Sequence, residues 1–273
     1  MIFGLRSVWS RRLGLAVSML LISALALAAD RRGRAPKLGE FNPDHKTVEM
    51  FDAIDKGQIE VKLIPKDSRQ SQVLVENKTD KPLNVKLPEA FAGVPVLAQA
   101  GAGLGAGGGN RRNNNRGGGG QGFGGGFGGM GGMGMGGMGM GMGMFNVPPE
   151  KVGKFKVTTV CLEHGKPEPR PAMQYEIKPI DSFTDKQEVH ELCRMLGSGK
   201  INQRAAQVAA WHLNNQMSFQ ELAAKRLRFA NGTSCPYFTP QELRAGMQLT
   251  VMATRLAEER RKSPGENQAA SLD

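Results

Sequence analysis

A glycine-rich segment limits what this chain can fold into. Residues 99–144 consist mostly of glycine, interrupted by asparagine, arginine and methionine. Such a segment cannot bury enough apolar area to offset the entropy lost when it becomes ordered. We therefore predict a disordered, low-complexity insertion there, and we expect the fold to be built from residues 47–98 and 145–261.

On both sides of this segment, apolar and charged residues alternate in short runs. Residues 59–63 read Ile-Glu-Val-Lys-Leu, which is typical of a half-buried strand. Residues 77–82 are rich in turn-forming types and predict a hairpin between the strands that flank them. Short strands separated by turns favour an antiparallel, immunoglobulin-like β-sandwich. The predicted strands are 59–63, 73–75, 83–87, 94–98, 154–162 and 175–177.

The first 28 residues have the pattern of an export signal. Three arginines and no acidic residue precede an apolar run at residues 13–27. Ala26-Leu27-Ala28, at the end of this run, is typical of a cleavage site. We therefore expect an exported protein of the periplasm, the cell surface or the extracellular space. The apolar run is short for a spanning helix. If the signal is not cleaved, it is the one membrane contact that we expect.

From Thr184 the apolar period lengthens from 2 to 3.6 residues, which predicts helices. Thr184 with Gln187, and Ser218 with Glu221, have the spacing of a capping box, and Pro240 suits the first position of the last helix. Strands followed by helices indicate an α+β fold. The predicted domains are a signal peptide at 1–28, a flexible basic arm at 29–46, sandwich strands at 47–98, the insertion at 99–144, remaining strands at 145–180, a helical unit at 181–261 and a disordered tail at 262–273.

The net charge of +11 does not by itself define a partner, because basic and acidic residues are mixed along most of the chain. No nucleic-acid-binding motif accompanies the charge, so we expect no nucleic-acid partner. We expect the partner to be an extracellular protein or a surface polymer.

The chain has three cysteines, an odd count that in an exported protein predicts one disulfide and one thiol with another role. Cys193 falls on the first predicted helix and Cys235 in the loop before the last one. We predict a disulfide between them because the chain is exported. Two separate buried thiols are the alternative.

The third cysteine stands beside a second distinctive motif. Cys161 ends the longest predicted strand and is followed by the turn Gly165-Lys166-Pro167. Gln207 and Trp211 lie four residues apart within Ala206-Gln207-Val208-Ala209-Ala210-Trp211, so they share one face of a helix.

These two segments resemble the thioester domains of bacterial surface proteins, whose helix motif is Thr-Gln-x-Ala-x-Trp. Gln207, Ala209 and Trp211 match that motif, whereas Ala206 replaces its threonine. The resemblance implies that Cys161 and Gln207 condense into an internal thioester, with Trp211 as a wall that excludes water. An amine on a partner would then be captured covalently.

Metal binding is a further hypothesis. Cys161 and His164 are two zinc-ligand types at short spacing, but zinc sites need three or four protein ligands. Thioethers suit Cu(I), and Met130, Met133, Met135 and Met138 belong to a methionine run without His or Cys. We predict neither a metal site nor a cofactor.

No paired acid–base constellation or cofactor loop is recognisable, so we predict that the chain is not an enzyme. The sequence favours a secreted or cell-surface module for binding or adhesion, with or without the covalent bond. An envelope-associated structural protein that assembles through the glycine-rich segment is one alternative. A methionine-rich copper-binding protein is the other.

Overall fold

The computed structural model describes residue 39 and residues 41–96, 120–127 and 143–262. The export signal lies outside these residues. So do residues 130–142 of the methionine run and residues 263–273 of the predicted C-terminal tail, whereas Lys262 is part of the last helix. The strands are β1 Lys46–Glu49, β2 Ile59–Pro65, β3 Gln70–Asn77, β4 Leu83–Lys86, β5 Phe91–Pro95, β6 Phe123–Gly125, β7 Met144–Val147, β8 Val152–Cys161, β9 Tyr175–Pro179, β10 Arg226–Arg228 and β11 Ser234–Pro236. The helices are α1 Met50–Asp55, α2 Gln187–Gly197, α3 Gln203–Asn215, α4 Phe219–Ala224 and α5 Pro240–Lys262.

Six antiparallel strands close into a barrel in the order β2-β3-β8-β6-β5-β9. Val73 and Val75 of β3 are completely buried, as the alternation of apolar residues requires. The barrel closes where β2 pairs with β9, and in the described part of the chain this pairing consists of one bridge between Leu63 and Tyr175. The immunoglobulin-like sandwich that we predicted is therefore wrong, because this sheet curves and closes on itself. Strands and helices are both present, as in an α+β protein.

The glycine-rich segment supplies one of the barrel strands. β6 lies between β5 and β8, where Phe123 is opposite Gly93 on one side and Cys161 on the other. Phe123 is only 1% exposed, and a Cβ on Gly93 would lie 2.4 Å from its ring. The phenylalanines bury apolar area and the glycines let neighbouring groups approach closely. Our prediction of an insertion outside the fold is thus wrong for residues 120–127.

A second sheet has the order β1-β4-β7, with β4 parallel to β1 and antiparallel to β7. We predicted a hairpin between β3 and β4, and this is wrong. The Asn77 side chain donates hydrogen bonds to the carbonyl oxygens of Lys81 and Val147, at 2.8 and 2.9 Å. Asn77 thereby ties the turn after β3 to β7, and β4 joins the second sheet.

Helices α2, α3 and α5 share a core with one side of the barrel. Four alanines on α3 are buried in this core, at positions 205, 206, 209 and 210. Gly246 of α5 lies so close to α3 that a Cβ there would be 2.4 Å from the Val208 side chain. Small residues on both helices therefore allow this close packing.

The predicted capping box at Ser218 is confirmed, since its side chain and that of Glu221 cap the start of α4 reciprocally. The cap predicted at Thr184 is wrong, because α2 begins at Gln187 without a side-chain cap. Within the described ranges, no helix is both long enough and apolar enough to cross a membrane.

The role of β6 can be tested with Phe123→Ala. We expect this substitution to lower the free energy of unfolding by about 3–5 kcal/mol, because it leaves a cavity in the barrel. Phe229→Ala is the matched control, since Phe229 is 50% exposed and its loss should change stability by less than about 0.5 kcal/mol. Urea unfolding measures both. Equal, small effects would show that residues 120–127 do not belong to the folded barrel.

Candidate Cys161–Gln207 site

Cys161 and Gln207 come together where α3 packs on the barrel. Cys161 is the last residue of β8, and Gln207 lies in the middle of α3. The two residues are 1% and 3% exposed. The structure therefore brings together two buried residues that are 46 positions apart in the sequence.

The Gln207 carboxamide forms two hydrogen bonds with the main chain of Cys161. The Cys161 N–H donates to Gln207 Oε1, and Gln207 Nε2 donates to the Cys161 carbonyl, both at 2.8 Å. Each partner is thus both donor and acceptor, as in a pair of neighbouring strands. Both bonds are buried, so losing one partner would leave an unpaired polar group and lower the free energy of unfolding.

A second glutamine makes one hydrogen bond of the same kind one helical turn earlier. Gln203 Nε2 donates to the Thr159 carbonyl at 2.9 Å. Four residues along a helix rise about 6 Å, and two residues along a strand rise about 6.7 Å. Gln203 and Gln207 can therefore reach Thr159 and Cys161 in register, which positions α3 along β8.

The segment after Cys161 is also held by α3. Asn214 Nδ2 donates to the Leu162 carbonyl at 2.6 Å, and the His164 N–H donates to Asn215 Oδ1 at 3.2 Å. Cys161 is thus fixed on both sides by hydrogen bonds between the strand end and the helix.

The Cys161 thiol points toward the turn between β2 and β3. Its Sγ lies 3.8 Å from the Ser68 carbonyl oxygen, to which the thiol can donate. Burial, followed by the negative charges of Glu168 and Asp67, raises the pKa of this thiol far above its usual range. The group is therefore a neutral thiol at physiological pH.

Trp211 lies one turn beyond Gln207 and is almost fully buried. Its ring contacts those of His164, Tyr237 and Phe238, with ring centroids 4.8, 5.5 and 5.7 Å away. We call these four residues the aromatic cluster. Among the described residues, none accepts a hydrogen bond from Trp211 Nε1, although this atom is buried. The cluster forms an apolar wall beside Cys161, which belongs to the same packed group.

Lys225 covers the aromatic cluster. Its Nζ lies 5.2 Å from the Trp211 ring centre, 5.1 Å from the Tyr237 ring centre and 2.8 Å from His164 Nε2. Burial, and then the charge of Lys225, lowers the pKa of His164. Burial likewise lowers the pKa of Lys225. Lys225 therefore donates to a neutral His164, since two cations in contact would repel each other.

The other predicted site residues are separate. Cys193 is buried in the helical core and Cys235 lies half-buried in β11, and both are free thiols in the structure. The disulfide between them stays a prediction. Across the described part of the chain, no three His, Cys, Asp or Glu side chains are placed to hold a metal ion. Met130, Met133, Met135 and Met138 lie outside the described residues.

Comparison with family models, curated proteins and solved structures gives no match to this chain. The site therefore has to be interpreted from its own contacts.

Sequence reasoning missed several residues around the thiol, namely Ser68, Glu168, Lys225 and Tyr237. Ser68 approaches only because β2 and β3 turn over the end of β8. The run from 222 to 241, which has cations but no acid, was a signal that could have drawn attention to Lys225.

The coupling between Lys225 and His164 gives a direct test. Lys225→Met should raise the pKa of His164 part of the way toward its ordinary value of about 6.5, because it removes a neighbouring cation. NMR titration of the imidazole protons measures this change. Arg226→Met is the control, since Arg226 bonds instead to Ser234. An unchanged His164 pKa in Lys225→Met would contradict the contact.

Proposed function

We propose that this chain is a secreted or cell-surface binding module in which Cys161 and Gln207 condense to an internal thioester that captures an amine. The observation that carries the proposal is the pair of 2.8 Å hydrogen bonds between the Gln207 carboxamide and the Cys161 main chain. These bonds hold the carboxamide beside the residue that carries the thiol. The matching motif around Gln207 and Trp211 supports the same chemistry.

The condensation balances without an oxidant or a reductant. Cys161 Sγ attacks Gln207 Cδ, so that a carbon–sulfur bond forms and the carbon–nitrogen bond breaks. The thiol proton leaves with the amide nitrogen as ammonia. In the capture step, the nitrogen of a partner amine attacks the same carbon, so that a carbon–nitrogen amide bond forms and the carbon–sulfur bond breaks. The proton that the amine loses restores the Cys161 thiol.

The surroundings suit an acyl group that must survive in water. Cys161 and Gln207 are nearly inaccessible, and Trp211 closes one side of the pair. The raised pKa keeps the Cys161 thiol neutral. Its conversion to an uncharged thioester therefore places no additional charge in the buried site. One hydrogen bond, from Gln207 Nε2 to the Cys161 carbonyl, is lost with the ammonia.

A purely structural role is the competing interpretation. Gln203 makes a similar contact with Thr159 and has no cysteine beside it, so a glutamine on α3 can serve only to position the helix. In that case the chain would bind its partner without a covalent bond. Intact mass distinguishes the two interpretations.

The proposal predicts the mass of the purified, non-reduced chain. The wild type should lack the mass of one ammonia, and methylamine should add its full mass at Gln207. Cys161→Ala should show neither change and should still fold, because both hydrogen bonds to Gln207 come from the main chain of residue 161. Peptide mapping identifies the modified residue.

Two variants control for the identity of the reacting groups. Gln248→Ala removes an exposed glutamine of α5, and Cys235→Ala removes a half-buried thiol. Both should retain the ammonia loss and the methylamine adduct. A folded wild type with its full calculated mass, corrected for any disulfide, and no adduct would overturn the covalent proposal.

A further inference from the structure

A two-stranded hairpin projects beside the candidate site. It consists of β10 and β11 with the turn 229–233, and we call it the cationic hairpin. The Tyr237 N–H donates to the Lys225 carbonyl at 2.8 Å and closes its base. Lys225 and Tyr237 are the residues that contact Trp211, so the hairpin begins at the edge of the aromatic cluster.

The charge of this element has one sign. Residues 222–241 include Lys225, Arg226 and Arg228 but no acidic residue. Neither arginine forms an ion pair with a carboxylate in the described part of the chain. Positions 226 and 228 lie on the same face of β10, because side chains alternate along a strand. The hairpin therefore presents uncompensated positive charge to solvent.

The hairpin also leaves large apolar side chains uncovered. All three residues of β10 are exposed, and Leu227 and Phe229 are 41% and 50% exposed. A two-stranded hairpin by itself is marginally stable in water. Arginine and aromatic residues are enriched at protein–protein interfaces. These features favour a surface that a partner covers.

A carboxylate also lies near the thiol. Glu168 accepts a hydrogen bond from the Ser68 hydroxyl at 3.3 Å, and the Ser68 carbonyl lies beside the Cys161 thiol. Glu168 is close enough to Lys225 and Tyr237 for its charge to oppose the lowering of the Lys225 pKa and to add to the raising of the Tyr237 pKa. The thiol thus lies near both the Glu168 carboxylate and the base of the cationic hairpin.

We infer that the amine captured at Gln207 belongs to a lysine with acidic neighbours on a partner protein, and that the cationic hairpin docks those acidic neighbours. The inference rests on the proposed function, whose amine donor it specifies. A lysine ammonium can face Glu168 while flanking carboxylates face Arg226 and Arg228. Without such carboxylates, the approaching cation would meet the positive charges of Arg226 and Arg228 and of the adjoining Lys225.

The shape of the hairpin favours a protein over an anionic membrane. The turn contains Asn231, whose side chain accepts hydrogen bonds from the N–H and hydroxyl of Thr233. Asn231 and Gly232 at the tip are therefore polar or small, whereas the exposed Leu227 lies along the strand and Phe229 lies at the start of the turn. A membrane-inserting hairpin would carry its apolar residues at the tip.

The test compares two lysine peptides with methylamine. The acidic peptide is acetyl-Glu-Glu-Lys-Glu-Glu-amide, and the neutral one has glutamine in place of glutamate. At low ionic strength, the wild type should form the adduct with the acidic peptide about tenfold faster, because complementary charge increases the rate of encounter. Added salt should reduce this preference. Intact mass followed over time gives the rates.

The double variant Arg226→Gln/Arg228→Gln should lose the preference and keep the methylamine rate. Lys154→Gln/Lys156→Gln is the matched control, because it removes two exposed cations at the same spacing on β8, and it should keep the preference. Equal rates for both peptides, with methylamine captured normally, would overturn the inference and leave the proposed function standing. Arginine-dependent binding to phosphatidylglycerol vesicles, without a peptide preference, would overturn it in favour of a membrane.

A wild type that captures no methylamine would overturn the proposed function, and with it the inference.

Discussion

The contact between α3 and β8 is the constraint on which the candidate site depends. Gln203 and Gln207 hydrogen-bond to alternate residues of β8, so the helix is held in a fixed register along the strand. β8 in turn pairs with β3 and β6 inside the barrel. Through this contact, Trp211 and the segment after Cys161 acquire their positions. The barrel and the helical layer are therefore parts of one arrangement around the thiol.

Burial and reactivity are linked at this site. The free Cys161 thiol is neutral and buried, and the same burial would shield an attached acyl group from water. Covalent capture requires the thioester to form once and to be replaced by an amide once, without repeated turnover. An enclosed site suits that requirement, provided that a partner can bring its amine to the edge. The cationic hairpin and Glu168 lie where such an approach would begin.

Alternation and helical periodicity predicted many of the elements, because these signals are local. The strand predicted at 59–63 is part of β2, and the helices predicted after Thr184 include α2 and α3. Pairing was harder to predict, because it depends on distant residues. Asn77 looked like part of a hairpin turn. Its side chain instead donates a hydrogen bond to the Val147 carbonyl and so ties the turn after β3 to β7. The glycine content of residues 120–127 made the strand in this segment difficult to predict. The phenylalanines of the segment become buried only when β6 pairs with β5 and β8.

The sequence by itself determined the motifs that make Cys161 and Gln207 candidates and the spacing of Gln207 and Trp211 on one helix face. Each motif is a property of neighbouring residues along the chain. Only the tertiary structure decided that the sheet closes into a barrel, that Gln207 bonds to the main chain of Cys161, and that Ser68 and Lys225 flank the same site. These contacts join residues far apart in sequence, and their geometry exists only after the strands have paired and the helices have packed.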